Sequence, residues 1–295
     1  MTAVLEKTAP ERSTAGPVRR FATRLARQPL AVASAAVLVL LVLVAVAAPL
    51  LATHDPDATN LAARNLPAGG GHLFGTDDLG RDVYSRLLYG TRVTLLAPVI
   101  AVGVGAVLGV PAGLLAGYLG GPVDWLLSRV ADALFALPGI VLAMAIVAVR
   151  GPSTANAMTA VGVLFAPRLF RVVRGATLSV RRAVFVDAAR TIGAGTGRIV
   201  GHHVLPNVAA PIIVQFTVLL GFGVLMEAGL SFLGIGVQPP EASWGVLLRR
   251  GFDNLYAAPF QSVPPGVAIT VLILAFQFLG DGMRDSLGKE LRRDA

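Results

Sequence analysis

The sequence predicts an all-α, polytopic membrane protein with six transmembrane helices, and three observations carry that prediction. Of its 295 residues, 55% are hydrophobic and only 14% charged, with a mean hydropathy of +0.71. That balance leaves too little polar surface for a water-soluble domain of this size. Several apolar runs also reach the roughly 17–25 residues that cross a bilayer as helix. These runs are continuous Leu, Val and Ala stretches rather than short alternating segments, so helices, not a barrel, satisfy the backbone in lipid.

Taken in order, residues 1–29 form a polar N-terminal tail that is expected to be disordered to about Arg19. Leu30–Ala52 is the first span. Its ~23 residues at ~1.5 Å each cover the hydrocarbon thickness and exceed a signal-peptide core, so it reads as an uncleaved helix. With the outer segment that follows, it fills residues 30–92. A membrane core extends over 93–285, with spans at Thr94–Tyr118, Val130–Val149, Ser153–Val173, Val208–Phe232 and Ser262–Gly280. Pro167 and Arg168 interrupt the fourth span. Thr53–Arg92 and Leu233–Gln261 are outer connections rich in Gly and Pro, 174–206 holds the main inner loop, and 286–295 is a C-terminal tail.

Charge sets the orientation. With both termini in the cytoplasm, 18 of the 25 Lys and Arg residues lie inside and 7 outside, as the positive-inside tendency requires. The basic excess is thus an orientation feature and a handle for anionic lipid. No DNA- or RNA-reading module accompanies it, so nucleic acid is not an expected partner.

Composition also removes chemistries. The chain has no cysteine, hence no disulfide, thiolate site or cysteine nucleophile. Its four histidines, at 54, 72, 202 and 203, lack any metal-ligand spacing, so no metal site is expected. No catalytic pair stands out, and the chain contains no G-x-x-x-x-G-K-[ST] loop, so it cannot hydrolyse ATP by a P-loop of its own. Gly105, Gly109, Gly113 and Gly117 recur every fourth residue and line one helix face, a helix-packing stripe. Asp132 and Asp281 lie near span ends, where Arg129 and Arg284 can pair with them. Glu227 sits deeper and is the better candidate for a pathway or subunit interface.

The polar stretch "FVDAARTIGAGTGRIVGHHVLPN" interrupts the apolar pattern between the fourth and fifth spans. Phe185, Ala188, Ala189 and Ile192 share one apolar helix face, Asp187 points the other way, and Gly193 ends the helix. Arg198–Val204 then leads to Leu205-Pro206. A helix of about ten residues is marginal alone in water, so its face needs either the membrane surface or a groove on a cytoplasmic protein.

Asp187-Ala188-Ala189, then Gly193, then Leu205-Pro206 resembles the "EAA" loop of ABC-importer membrane subunits, with Asp187 in place of Glu and His203 in place of Ile. "HVLPN" (His203 to Asn207), "FGTDDLGRDVYSRLLYGTR", "ALPGI", "GLSFLGIGVQPPEASWG" and "GDGMRDSLG" are similar to the dipeptide/oligopeptide/nickel permease family, C-type subunit. The resemblance implies a type I importer permease fold in a bacterial cytoplasmic membrane. It also implies a non-catalytic transport subunit coupled through 184–197 to ATPases that carry the ATP and Mg, with no cofactor on this chain. The implied partners are a homologous B-type permease, one or two cytoplasmic ABC ATPases, and an extracytoplasmic substrate-binding (lipo)protein docking on the outer segments. Di- and oligopeptides are the implied cargo, and Gln238 joins Glu227 as a pathway or interface residue. The alternatives left open are nickel chelates, haem or another small solute by the same machinery, or an ion-coupled secondary transporter.

Overall fold

The structure, a computed structural model, describes residues 17–136 and 138–291. Among these, helices account for the fold and no strand occurs. Five helices are long and apolar enough to cross a membrane: α2 (Pro29–Leu51), α3 (Val83–Leu119), α6 (Thr154–Val180), α9 (Leu205–Phe232) and α11 (Val263–Leu291). The expected single span Val130–Val149 is instead a pair, α4 (Gly121–Phe135) and α5 (Gly139–Arg150), bent by 90°. Pro138 ends the first and caps the second, because it offers no amide hydrogen to continue a helix.

The tails also differ from expectation. α1 (Pro17–Leu25) places a helix inside the expected tail 1–29, whereas the residues before it lie outside those described. α11 runs on to Leu291, so 286–291 continue the last helix.

The core explains the glycine stripe. An added Cβ at Gly105 would lie 2.9 Å from Phe165 Cβ, at Gly113 2.8 Å from the Phe170 carbonyl oxygen, and at Gly117 2.6 Å from Thr177 Cβ; Gly109 meets the Ala166 carbonyl. All four glycines therefore face α6, and the two backbones meet without intervening side chains. Residue numbers rise together along both helices, so α3 and α6 run parallel. The chain must then return across the bundle between them, and the bent pair α4–α5 makes that crossing. The ends close consistently: the Arg24 guanidinium donates to the Ser286 carbonyl (3.4 Å) and the Gln28 amide to Ser286 Oγ (3.2 Å), tying the start of α2 to the end of α11.

At the opposite end, the two outer segments form one folded cap. Arg81 pairs with Asp77 (2.7 Å), Arg86 with Asp57 (2.8 Å), and Arg250 with Asp78 (2.7 Å). Arg86 also donates to the Pro240 carbonyl (3.2 Å), joining one segment to the other. Leu233–Gln261 is not merely a loop: it contains α10 (Trp244–Asp253), whose N-cap is Ser243. Trp244 is buried, its backbone amide donating to Thr94 Oγ1 (3.1 Å) and its indole to the Leu87 carbonyl (3.0 Å). Thr53–Arg92 likewise ends early, since Val83–Arg92 are the first turns of α3, capped by Asp82. Burial pushes the Asp82 carboxyl up, but hydrogen bonds from Ser85 and His72 outweigh it and hold the group below its usual value.

Asp132 pairs with Arg171 (2.8 Å) rather than Arg129, whose guanidinium lies over the Trp125 ring. Asp281 and Arg284 are exposed and form no ion pair with each other. The bundle thus brings α6 to Asp132 across a helix–helix contact that overrides the local three-residue spacing.

Candidate functional site

The interrupting stretch lies at the end of the bundle that carries the start of α2 and the end of α11. α6 stops at Val180, and Arg181 donates to the Gly117 carbonyl (3.1 Å), anchoring the chain to the end of α3. α7 (Val184–Thr191) follows. Its Val186 and Ala189 are buried with Leu114, Val173, Ile199, Val204 and Val208 in one cluster. Its other face is bare: Val184 and Ile192 are each 84% exposed, Phe185 is 42% exposed, and Ala188 is exposed beside them.

This division corrects the expected face in one respect. Phe185, Ala188 and Ile192 point outward as a group, but Ala189 turns inward, because Val186 and Ala189 occupy the stripe that the rest of the chain covers. Asp187 points away from the core, 64% exposed, and pairs with Arg190 (3.0 Å). Arg190 also donates to the Tyr118 hydroxyl (3.2 Å) and lies over that ring, which fixes α7 against the end of α3.

Gly193 terminates the helix through its geometry. At φ +79° it adopts the left-handed conformation that costs glycine little. Its amide donates to the Arg190 carbonyl (2.9 Å), and the Ala194 amide donates to that of Ala189 (3.0 Å), the paired closure of a Schellman motif. The expected helix over 184–197 is therefore shorter. After the break come α8 (Thr196–Arg198) and a π-helical turn, Ile199–Val204, which carries His202 and His203 and runs straight into α9 at Leu205. Pro206 is the second residue of α9, directly after the π turn, and the Asn207 side chain donates to the His203 carbonyl (2.7 Å).

The remaining expected sites fall elsewhere. Glu227 is 1% exposed inside this chain, accepting from Ser231 Oγ (2.8 Å), so its own subunit encloses it and it does not face an open path or a free interface. Gln238 is half-buried in the cap, where its amide donates to the Gly234 and Gly236 carbonyls (3.2 and 3.1 Å). Val184 and Tyr118 belong to the loop site but carried no pattern that singled them out. The histidine spacing predicts no metal site, yet the fold brings His54 and His72 to Asp82 at the cap end.

Residues 109–293 match the family model described as the binding-protein-dependent transport system inner membrane component, and 16–68 match the N-terminal transmembrane domain of oligopeptide transport permease C. The chain belongs to this permease family. Similar proteins include the probable D,D-dipeptide transport system permease protein DdpC of Escherichia coli K12, 38% identical over 94% of this chain and 93% of that one. The glutathione transport system permease protein GsiD of Pectobacterium atrosepticum is 39% identical over 96% and 94% of the two chains. The dipeptide transport system permease protein DppC of Alkalihalophilus pseudofirmus is 39% identical over 94% and 91%. In shape, the permease is similar to a crystal structure of the inward-facing MetNI methionine ABC transporter, with a TM-score of 0.57 at 22% identity, covering 68% of this chain and 96% of that one. The fold is that of an ABC importer permease.

Proposed function

We propose that this permease forms half of the translocation path of an ATP-driven, binding-protein-dependent importer of di- and oligopeptides. Its α7 would couple that path to a cytoplasmic ATPase. The observation that carries the reading is the uncovered apolar face Val184, Phe185, Ala188 and Ile192 on a helix fixed rigidly to α3 by Arg190 and Tyr118. Full burial of each large side chain stabilises by about 1.5–3 kcal/mol, so a groove on a partner gains substantially by accepting this face. Val186 and Ala189 pack with Leu114 of α3 and Val173 of α6, so a push on the helix reaches both directly.

The cap segments are the surface for an external binding protein, and a second, homologous permease completes the path. ATP and Mg belong to the ATPase subunits. Short peptides are the cargo class because the relatives above are named for a D,D-dipeptide, glutathione and dipeptides. The end bearing α7 faces the cytoplasm.

The test uses the complete transporter in proteoliposomes with its binding protein. Proline fixes φ near −65° and lacks the amide hydrogen, so Gly193→Pro destroys both the turn and its bond to Arg190. Asp187→Arg replaces the pair with repulsion. Both variants are expected to abolish ATP-dependent peptide uptake while peptide capture by the binding protein stays intact. Undiminished uptake by either one would overturn the assignment.

A further inference from the structure

At the cap end, three successive pieces of the first outer segment come together around one carboxylate oxygen. His54 follows α2, His72 closes a tight turn through backbone hydrogen bonds with Gly69 (2.9 and 3.0 Å), and Asp82 caps α3. His72 Nδ1 lies 2.8 Å from Asp82 Oδ1, and His54 Nδ1 lies 3.9 Å from the same atom. The two imidazoles stack with centroids 4.6 Å apart. One ligating atom from each of the three residues falls within 4.8 Å of the other two.

His72 Nδ1 is within hydrogen-bond distance of Asp82 Oδ1, and His54 Nδ1, 3.0 Å from Thr53 Oγ1, is turned toward the same carboxylate oxygen. A divalent cation fits between the three, because it takes a lone pair from each neutral imidazole and neutralises the carboxylate. Tetrahedral zinc with ligands at about 2.0–2.2 Å requires ligand atoms roughly 3.3–3.5 Å apart, and the two distances to Asp82 Oδ1 bracket that value.

The supports are those a metal site uses. Asp82 Oδ2 accepts from the Ser85 amide (2.8 Å) and hydroxyl (2.7 Å), which fixes the carboxylate with Oδ1 turned toward the histidines. The Asp82 side chain is 1% exposed, His72 18% and His54 43%, so the group has a rigid floor and one face open to solvent. Thr53 Oγ1 lies 3.0 Å from His54 Nδ1 and donates to Asp82 Oδ2 (3.5 Å), a further polar group at the edge of the cluster. Two nitrogens and one carboxylate suit zinc and its neighbours; calcium and magnesium, which want oxygen cages, are poorly matched.

We propose that His54, His72 and Asp82 bind one divalent cation of the zinc class. The cation clamps the end of α2, the Gly69–His72 turn and the start of α3, which stiffens the cap.

The test uses the full-length chain purified in detergent without a polyhistidine tag, stripped with chelator and titrated with Zn2+. One zinc per chain by elemental analysis, with a raised unfolding temperature, is the expected result. Co2+ in its place should give the visible absorption of a tetrahedral nitrogen–oxygen site. His54→Gln and His72→Gln should each weaken Zn2+ binding by about tenfold or more. Asp82→Asn, which keeps a good helix cap, should weaken it similarly. A His202→Gln/His203→Gln control should bind as the parent does. The proposal is overturned if the parent holds no stoichiometric zinc. It is equally overturned if His54→Gln, exposed enough to fold normally, binds Zn2+ as tightly as the parent.

Discussion

Arg168 shows how one residue constrains its surroundings. It sits in the middle of α6, exposed, with its guanidinium 4.9 Å from the centroid of the Phe222 ring. Among the described residues no carboxylate pairs with it. Facing lipid, such a cation would cost about 2.5–3.5 kcal/mol or more, and a cation–π contact recovers only about 0.5–2 kcal/mol. The shared face of α6 and α9 around Arg168 therefore meets water or another protein chain. Because the chain lacks cysteine, single-cysteine variants read this directly. In the assembled transporter, Arg168→Cys should react with a charged, membrane-impermeant thiol reagent. Val39→Cys on α2, where the parent side chain is 59% exposed along an apolar helix, should not. Equal protection of both positions would put Arg168 in lipid and remove the argument.

Among the elements, α3 and α6 form the joint on which the rest is built. The every-fourth glycines made this joint legible in the sequence as a stripe, though not its partner, since four glycines say nothing about which backbone they meet. Gly109→Leu drives a side chain into the Ala166 carbonyl and Leu169. Overpacking of this kind costs about 1–3 kcal/mol, so the purified chain should unfold several degrees lower. Gly103→Leu, on the same helix with nothing within 4 Å of its added Cβ, should leave the unfolding temperature unchanged or slightly raised. An equal drop in both would mean that added bulk anywhere on α3, not the joint with α6, decides.

Other elements were hidden for identifiable reasons. The bend at Pro138 splits a run that hydropathy reads as one, because apolarity averages over a turn. α10 is held by Trp244 bonding to Leu87 and Thr94, about 150 residues away, which no local window registers. α7 was legible as a short amphipathic helix ended by Gly193, but which of its apolar residues face outward was not. That depends on the π turn Ile199–Val204 folding back to cover Val186 and Ala189. The cation group was illegible throughout, since His54, His72 and Asp82 share no spacing and meet only through the cap.

For the whole molecule, the parity of membrane crossings follows from packing rather than from counting hydrophobic runs. Apolar length alone gives five crossings, or six if the bent pair counts as one, and the two answers put the termini on opposite sides or the same side. The parallel register of α3 on α6, from Gly105 at Phe165 to Gly117 at Thr177, requires the chain to cross once between them. The bonds from Arg24 and Gln28 to Ser286 independently place both described ends together, at the end that also carries α7. Charge then chooses the side. The two outer segments, 53–92 and 233–261, hold six Arg against seven Asp and Glu, whereas the inner loop 174–206 holds five Arg against Asp187 alone. That surplus is what the positive-inside tendency retains in the cytoplasm. A fluorescent protein fused to the C-terminus should therefore fold and fluoresce. Alkaline phosphatase, which needs an oxidising compartment, should be active when fused after Ala58 and inactive after Gly195. A dark C-terminal fusion, or an active phosphatase after Gly195, would reverse the orientation and detach α7 from any cytoplasmic ATPase.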